Sequence, residues 1–389
     1  MTAQTLNGFL LTRNWRDTGD GIELEFWFTT EQGPLCAVIH REQSVFFLAR
    51  SEVEQASAVL GDAPGVTIKP LELRSFSGAP VVGVYCQSYR QPRRWADQLR
   101  SLGLQPLEAD INPAERFLME RFVAGSALLH GEPQSRGRHL LLENPTVKTA
   151  DYRPTLKVVS YDIETAMEGL QLYSIAVHGR SVRGDTRRVF MLGEGATQDF
   201  VSSFATQGEV LQAFLDWVAD YDPDVLIGWN VVNFDTWYLQ RLAEKLGRRL
   251  LLGRQRRPAT WRELGEDGDR RTVHIPGRVV LDGIELLRAA FYRFESFSLE
   301  NVARSLLDEG KLVHGSDRGG EITRLFLEDK TSLAAYNLKD CELVSDIFAA
   351  TAILDFAVAR SVMTGLNIDR MGGSVASFDN LYLPRLHRQ

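Results

Sequence analysis

Two carboxylates, Asp162 and Glu164, lie two residues apart at the end of the apolar run "LKVVSYDIE". In a β-strand, residues i and i+2 point to the same face, so these two negative charges would be held a few ångströms apart. Burying a charge without a partner costs several kcal/mol or forces the group to take up a proton, and a neighbouring like charge adds to that cost. We therefore expect positive charge to be bound beside this pair.

A third carboxylate, Asp235, follows the apolar segment "DVLIGW" by a short loop, in "IGWNVVNFD". The pattern predicts a helix from about Phe234 to Leu246, with Asp235 at its start. A helix N-terminus favours a negative charge, so this acid has two interpretations. It either complements the helix dipole or belongs to the same site as the first pair.

The fourth carboxylate, Asp340, lies in "YNLKD", inside the predicted helix "SLAAYNLKDCELVSDIF". The apolar stripe of this helix consists of residues at helical spacing: Leu333, Tyr336, Asp340, Leu343, Val344 and Ile347. An acid within such a stripe needs a partner, which is either the hydroxyl of Tyr336 one turn earlier or a cation. Another acid, Asp282 in "VVLDGIELL", is interpreted as a structural hydrogen-bond acceptor in a buried strand and is given no catalytic role.

The donors of Asp162, Glu164, Asp235 and Asp340 are all carboxylate oxygens. Such a set suits a hard divalent cation, Mg²⁺ or Mn²⁺, and not a zinc site. Two cations about 4 Å apart would offset four carboxylates, and they are used for in-line displacement at phosphorus. We predict that the positive charge beside these acids is metal.

Three short motifs carry a resemblance to a known family. "DIE" at 162 to 164, Asn-x-x-x-Phe-Asp at 230 to 235 and Tyr-x-x-x-Asp at 336 to 340 resemble, in that order, the three exonuclease motifs of the proofreading domain of family-B DNA polymerases. The segments "YDPDVLIGWNVVNFD" and "SFSLENVA" are similar to bacterial members of that family, and the similarity extends from about "LTRNWRD" to "RMGGSV". The resemblance implies an RNase H-like fold and a 3′→5′ exonuclease that trims mispaired primer ends.

The resemblance also implies roles for the acids. Asp162, Glu164 and Asp340 would ligate the first ion. Asp162 would bridge to the second ion, and Asp235 would support that ion, directly or through water. Tyr336 would orient the attacking water, because the histidine that a related subclass places five residues before the last Asp is here Ala335.

Residues around the second motif are candidate DNA contacts. Trp229 and Phe234 could stack on bases or wedge them apart, and Asn230 lies between them. The alternative for the aromatic side chains is ordinary core packing.

The elements that must position these residues differ between the two parts of the chain. Residues 1–149 read as strands with short connections and two helices, "RRWADQLRSLG" and "NPAERFLMERFVAG", which indicates an α+β N-terminal domain. Residues 150–365 alternate strands and helices, which predicts an α/β domain with a mixed sheet flanked by helices, and the resemblance implies that this is the exonuclease domain. In such folds the functional crevice lies at the carboxyl ends of the strands, where Asp162 and Glu164 are expected.

Composition sets outer limits on the function. The 389 residues are 44% hydrophobic and 24% charged, with no apolar run of transmembrane length and no secretory signal, so we expect a cytoplasmic protein without a membrane partner. The three cysteines form no CxxC pair, which argues against disulfides and structural zinc. A net charge of −7 argues against a generally basic surface, but "RRLLLGRQRRP" at 248 to 258 is either a local nucleic-acid contact or a solvated loop.

The polymerase half of the family, with its palm motifs, is absent from these residues. Residues 366–389 are therefore interpreted as the truncated start of the following polymerase region, in an expressed fragment or a natural truncation. We expect DNA as the partner, a sliding clamp as a further partner through the missing part, and no nucleotide incorporation by this chain. A free-standing 3′→5′ DNA or RNA exonuclease and a non-catalytic nucleic-acid-binding module are the alternatives.

Overall fold

The computed structural model describes residues 2–181, 184–264, 270–310 and 318–386. The chain forms two compact units. The first contains Met1–Pro154, Arg360–Asn367 and Gly373–Gln389, and the second contains Thr155–Ala359 and Ile368–Gly372. The domain boundaries that we expect from the sequence, between residues 149 and 150 and between residues 365 and 366, stay predictions. Among the described residues, no helix has the length and apolar character needed to cross a membrane.

The first unit is a mixture of strands and short helices, as predicted. Its strands form a seven-stranded sheet of order β10-β7-β1-β2-β3-β9-β8 and a three-stranded sheet of order β4-β6-β5. The strands are β1 (Gln4–Thr18), β2 (Gly21–Thr30), β3 (Gly33–Glu42), β4 (Ser44–Ala49), β5 (Val66–Arg74), β6 (Pro80–Cys86), β7 (Ser126–Gly131), β8 (Gln134–Arg136), β9 (His139–Glu143) and β10 (Thr146–Thr149).

Three helices lie among the strands of the first unit. They are α1 (Val53–Leu60), α2 (Arg90–Ser101) and α3 (Pro113–Met119). Asn112 caps α3 by accepting a hydrogen bond from the Glu115 amide at 2.8 Å. The predicted extension of α3 to residue 125 is wrong, because Phe122 has φ +56°, a left-handed conformation that a right-handed helix does not contain.

The second unit contains a mixed six-stranded sheet of order β14-β13-β12-β11-β15-β18. Strands β11, β15 and β18 are parallel, and β12 is antiparallel to β11. A hairpin of β16 and β17 stands outside this sheet. The strands are β11 (Val158–Thr165), β12 (Leu172–Ser181), β13 (Gly184–Leu192), β14 (Val201–Phe204), β15 (Val225–Gly228), β16 (Thr260–Leu264), β17 (Arg270–His274) and β18 (Val279–Asp282).

Helices follow these strands along the chain. They are α4 (Gln207–Tyr221), α5 (Trp237–Lys245), α6 (Gly283–Ala289), α7 (Leu299–Leu307), α8 (Arg318–Glu328), α9 (Lys330–Thr351) and α10 (Ile353–Thr364), whose residues from Arg360 onward belong to the first unit. The last helix, α11 (Ser374–Leu386), belongs to the first unit. The prediction of one strand over "RVVLDGIELL" is wrong after Asp282. There the chain turns into α6, whose first amides, of Ile284 and Glu285, donate to the Asp282 carboxylate at 2.9 and 3.4 Å. Asp282 is thus a hydrogen-bond acceptor, as predicted, but at a helix start.

Strand β11 has two different faces, as its alternating sequence predicts. Val159, Tyr161 and Ile163 enter a core shared with residues of α4 and α5. Asp162 and Glu164 point to the opposite face, where α9 packs against the sheet through a second core. The pleat of one strand therefore separates the apolar core from the carboxylates.

Candidate active site

Three of the predicted carboxylates converge. Asp162 and Glu164 come from the carboxyl-terminal half of β11, and Asp340 comes from the middle of α9; each offers an oxygen atom, and these oxygens lie within 4.8 Å of one another. Asp340 is 2% exposed, whereas the other two are half-buried. Three oxygens at this spacing could hold one hard divalent cation.

Asp235 lies beside this cluster but outside it. The chain leaves β15, turns at Asn230 with φ +59°, and passes through one π-helical turn, Val232–Thr236, before α5. The pairing of β15 with β11 ends at Ser160↔Ile227. The amide of Ile163, beyond that end, donates to Asp235 Oδ1 at 3.0 Å. Asp235 is therefore fixed to the backbone between Asp162 and Glu164.

Burial dominates the electrostatics of Asp235, which is 1% exposed. Burial raises the pKa of its carboxyl well above the usual range, the negative charge of Asp162 raises it further, and the hydrogen bond from the Ile163 amide opposes the shift. A cation bound near Asp162 and Asp235 would favour the ionised form of both groups. The arrangement is thus one in which metal would relieve an electrostatic cost.

Tyr336 lies one helical turn before Asp340, on the same buried face of α9. It is 2% exposed and belongs to a core cluster with Tyr173, Met191 and Leu333. The apolar stripe predicted for this helix is therefore present, with Asp340 within it. The assignment of Tyr336 to the attacking water stays a prediction.

One polar residue of the site, Asn337, was missed by the sequence analysis. Its Nδ2 atom donates to Asp162 Oδ2 at 2.7 Å, and its Oδ1 atom accepts from Ser174 Oγ at 2.8 Å. Both Asn337 and Ser174 have no solvent exposure. The available signal was a polar residue directly after Tyr336, within the apolar stretch from Leu333 to Leu338.

The candidate DNA contacts differ in their surroundings. Phe234 is 46% exposed, and Asn230 is exposed. Trp229 is half-buried, and its Nε1 donates to the carbonyl of Phe297 at 2.8 Å. All three assignments to DNA stay predictions, and Trp229 has a structural role in addition.

The basic segment 248–258 holds a structural arginine. Arg254 is 4% exposed and bonds to Asp222 at 3.0 Å and to Asp224 at 2.7 Å. Arg256 forms an ion pair with Asp216 at 2.6 Å. Arg254 is thus neither solvated nor available to a nucleic acid.

Comparison with known families places the chain among DNA polymerases. Residues 105–302 match the model of DNA polymerase family B, exonuclease domain. Residues 8–43 match the N-terminal domain of DNA polymerase II, and residues 44–104 match its insertion domain. The three matches follow one another along the first three quarters of the chain.

Individual relatives agree with these matches. DNA polymerase II of Escherichia coli K12 is 43% identical over 393 residues, which cover 98% of this chain and 48% of that protein. The DNA polymerase delta catalytic subunit of Glycine max is 31% identical over 43% of this chain and 16% of its own length. The chain spans about half the length of the E. coli relative, and less of the other.

A solved structure shares the fold. The family B DNA polymerase of Pyrobaculum calidifontis superposes with a TM-score of 0.78 at 20% identity, over 98% of this chain and 50% of that one. This likeness confirms the mixed α/β architecture. Since the exonuclease-domain model alone covers half of the residues, the chain belongs to DNA polymerase family B and carries that family's metal-dependent 3′→5′ exonuclease domain.

Proposed function

We propose that the chain hydrolyses DNA from its 3′ end with two divalent cations, Mg²⁺ or Mn²⁺. The observation that carries the proposal is the convergence of oxygens from Asp162, Glu164 and Asp340 within 4.8 Å, in a chain of this family. Carboxylate oxygens are the ligands that these hard cations prefer.

The acids have distinct tasks in this proposal. Asp162, Glu164 and Asp340 would hold one cation, and Asp162 and Asp235 would hold the other. When bound, such cations would activate water at neutral pH and offset negative charge on the oxygens of the phosphodiester. The hydrogen bond from Ile163 to Asp235 supports this assignment, because it fixes Asp235 against the strand that carries Asp162.

Tyr336 is proposed to orient the attacking water with its hydroxyl. Its position one turn before Asp340, on a buried helix face, supports this role because the surrounding core restricts the rotation of the ring. A water held at the correct distance and angle reacts faster than one that tumbles.

The preferred substrate is proposed to be a single-stranded or mispaired 3′ end. A terminal base must leave its stack to enter a crevice, and unpairing costs a few kcal/mol that a mismatch has already lost. We further propose that the activity proofreads DNA synthesis by a parent polymerase in the cytoplasm, in replication or repair, with a sliding clamp as a partner of that polymerase.

A digestion assay with end-labelled DNA tests the proposal. The substrates are a matched primer-template, the same primer with a 3′ mismatch, and the primer alone, each with Mg²⁺ or with excess EDTA. We expect Mg²⁺-dependent removal of 3′ nucleotides, faster from the mismatched and single-stranded ends. The variant Asp340→Ala, purified in parallel, controls for contaminating nuclease.

Two results would count against the proposal in different ways. Hydrolysis that persists in EDTA would rule out the metal mechanism. Equal rates on matched and mismatched primers would remove proofreading and leave the nuclease.

A further inference from the structure

A chain of two hydrogen bonds links strand β12, helix α9 and the first carboxylate of the site. Ser174 Oγ is 2.8 Å from Asn337 Oδ1, and Asn337 Nδ2 is 2.7 Å from Asp162 Oδ2. Ser174 pairs with Glu164 across β11 and β12, so its side chain lies on the same sheet face as both acids of β11. The amide thus spans from the sheet to the metal-binding carboxylate.

The direction of these bonds follows from the chemistry of the groups. An ionised carboxylate only accepts hydrogen bonds, so the NH₂ end of Asn337 must face Asp162. The carbonyl end must then face Ser174, whose hydroxyl donates to it. Reversing the amide would set two acceptor oxygens against each other inside a buried site.

We propose that Asn337, held by Ser174, is a positioning residue that fixes the orientation of the Asp162 carboxylate for metal binding. This inference rests on the proposed function, since it concerns the same site. Partners of this kind, which touch a metal ligand and not the metal, commonly decide the ligand's orientation.

A neutral amide suits this task better than a charged group. A lysine or arginine in its place would form an ion pair with Asp162 and compete with the cation for that charge. An aspartate would add a further negative charge beside Asp162. Asn337 instead donates one hydrogen bond and carries no charge of its own at any pH, so it does not compete with the cation for the charge of the carboxylate.

Binding of Mn²⁺ alone, without DNA, tests the inference on the 389-residue chain. Free Mn²⁺ is quantified by its electron paramagnetic resonance signal for wild type, Asn337→Ala, Ser174→Ala and the double variant. We expect Asn337→Ala to weaken Mn²⁺ binding by about 10- to 100-fold. Ser174→Ala should weaken it less, and the double variant should match Asn337→Ala, because Ser174 acts only through the amide.

Ser345→Ala is the matched control. Ser345 lies on the same helix, donates to the Cys341 carbonyl at 3.1 Å, and its Oγ atom is hydrogen-bonded to His178 Nδ1 of β12 at 2.8 Å. Its loss removes a comparable contact between α9 and β12 away from the acids. We expect a lower melting temperature with wild-type Mn²⁺ affinity.

The outcomes separate this inference from the proposed function. If wild type binds Mn²⁺ and Asn337→Ala binds it equally well, the residue is only structural and the inference is overturned. If Asn337→Ala does not fold, Ser174→Ala decides: unchanged Mn²⁺ affinity would overturn the inference. Failure of wild type to bind Mn²⁺ would overturn the metal mechanism and this inference with it.

Discussion

The carboxylates at the two ends of the parallel strands in the second unit have different neighbours. At the amino end, Asp222 and Asp224 precede β15, and Arg278 precedes β18. Arg278 bonds to Asp222 at 2.7 Å, and Arg254 bonds to both acids. Burial lowers the pKa of Arg278 to about 10, the charge of Arg254 adds to this shift, and Asp222 opposes it. Each acid here meets a cation.

At the carboxyl end the acids lie close to one another. Asp162, Glu164 and Asp340 converge, and the hydrogen bond to Asp162 from Asn337 comes from a neutral group. Asp235 receives its bond from a backbone amide, while the charge of Asp162 raises its pKa.

Structural and functional carboxylates of this fold therefore differ in the groups that they contact. Acids bonded to arginines within the protein contribute to the folded state, and removing one partner leaves a buried charge. Acids that lie close to one another repel each other, and a bound cation can offset that repulsion. Such a cluster therefore indicates a functional site. Mutations of the ion pairs at the amino end should thus lower the stability of the protein, and mutations of the acids at the carboxyl end should lower its activity.

The largest expected effect is at the carboxyl end. Asp340→Ala should lower the exonuclease rate by about a thousandfold or more, because a group that holds charge-stabilising metal is lost. The metal-free protein should be as stable as wild type, or more stable, since a buried acid has been removed. Rates with Mg²⁺ and melting temperatures in EDTA check this, and a destabilised variant with near-normal turnover per folded molecule would contradict it.

The amino end should show the reverse pattern. Arg278→Ala should lower the free energy of unfolding by about 3 kcal/mol or more, because Asp222 keeps its charge and loses this partner. Arg278→Lys keeps the charge but loses the guanidinium group, which also donates to the carbonyls of Pro223 and Leu252. We therefore expect a decrease in the free energy of unfolding that is smaller than that of Arg278→Ala. Urea unfolding measures both, and a Mg²⁺-dependent rate per folded molecule far below wild type would break the comparison.

Tyr336→Phe separates the orientation of water from metal binding within the site. It removes one hydroxyl and keeps the ring in its core, so the rate should fall by about 10- to 1,000-fold while Mn²⁺ affinity stays near wild type. Parallel measurements of rate and Mn²⁺ binding separate the two effects. A loss of Mn²⁺ affinity equal to the loss of rate would place the hydroxyl among the metal-binding groups instead.

The smallest expected effect concerns Asp282, which caps α6 and is 8% exposed. Burial raises the pKa of its carboxyl to about 6, above the usual value of 3.8. The folded state therefore holds this proton more tightly than the unfolded state. The resulting contribution of the Asp282 carboxyl to the free energy of unfolding is fully present below about pH 4 and is lost as the pH rises to about 6.

Asp282→Asn tests this linkage. Asparagine cannot ionise and is an equally good helix cap, so the variant should be more stable than wild type by about 2 kcal/mol at pH 7.5 and similar to it at pH 4. Urea unfolding at both pH values measures the difference. A constant difference across this range would show that Asp282 does not titrate there.

The sequence predicted most of the elements that surround the site. The period of two in β11 separated apolar from acidic residues, and the helical stripe of α9 placed Asp340 on its buried face. Both patterns are local, and burial of one face imposes them directly. The end of β18 was missed because "VVLDGIELL" is apolar on both sides of Asp282, so periodicity did not show where the strand gives way to α6.

Contacts between distant residues were beyond such patterns. The bond from Asn337 to Asp162 joins positions 175 apart in sequence, and no local signal pairs them. Arg254 was ambiguous for the same reason: in sequence it lies among other basic residues, while its acidic partners, Asp222 and Asp224, lie about 30 positions earlier.

The most direct test of the account is thermal unfolding with and without divalent metal. Wild type, Asp340→Ala and Asp346→Ala are compared in EDTA and in millimolar Mg²⁺ or Mn²⁺; Asp346 lies on the same helix but pairs with Arg180. A cation that binds only the folded state raises its stability. We expect a higher melting temperature with metal for wild type and Asp346→Ala and a much smaller rise for Asp340→Ala. An equal rise in all three proteins, or none in wild type, would contradict it.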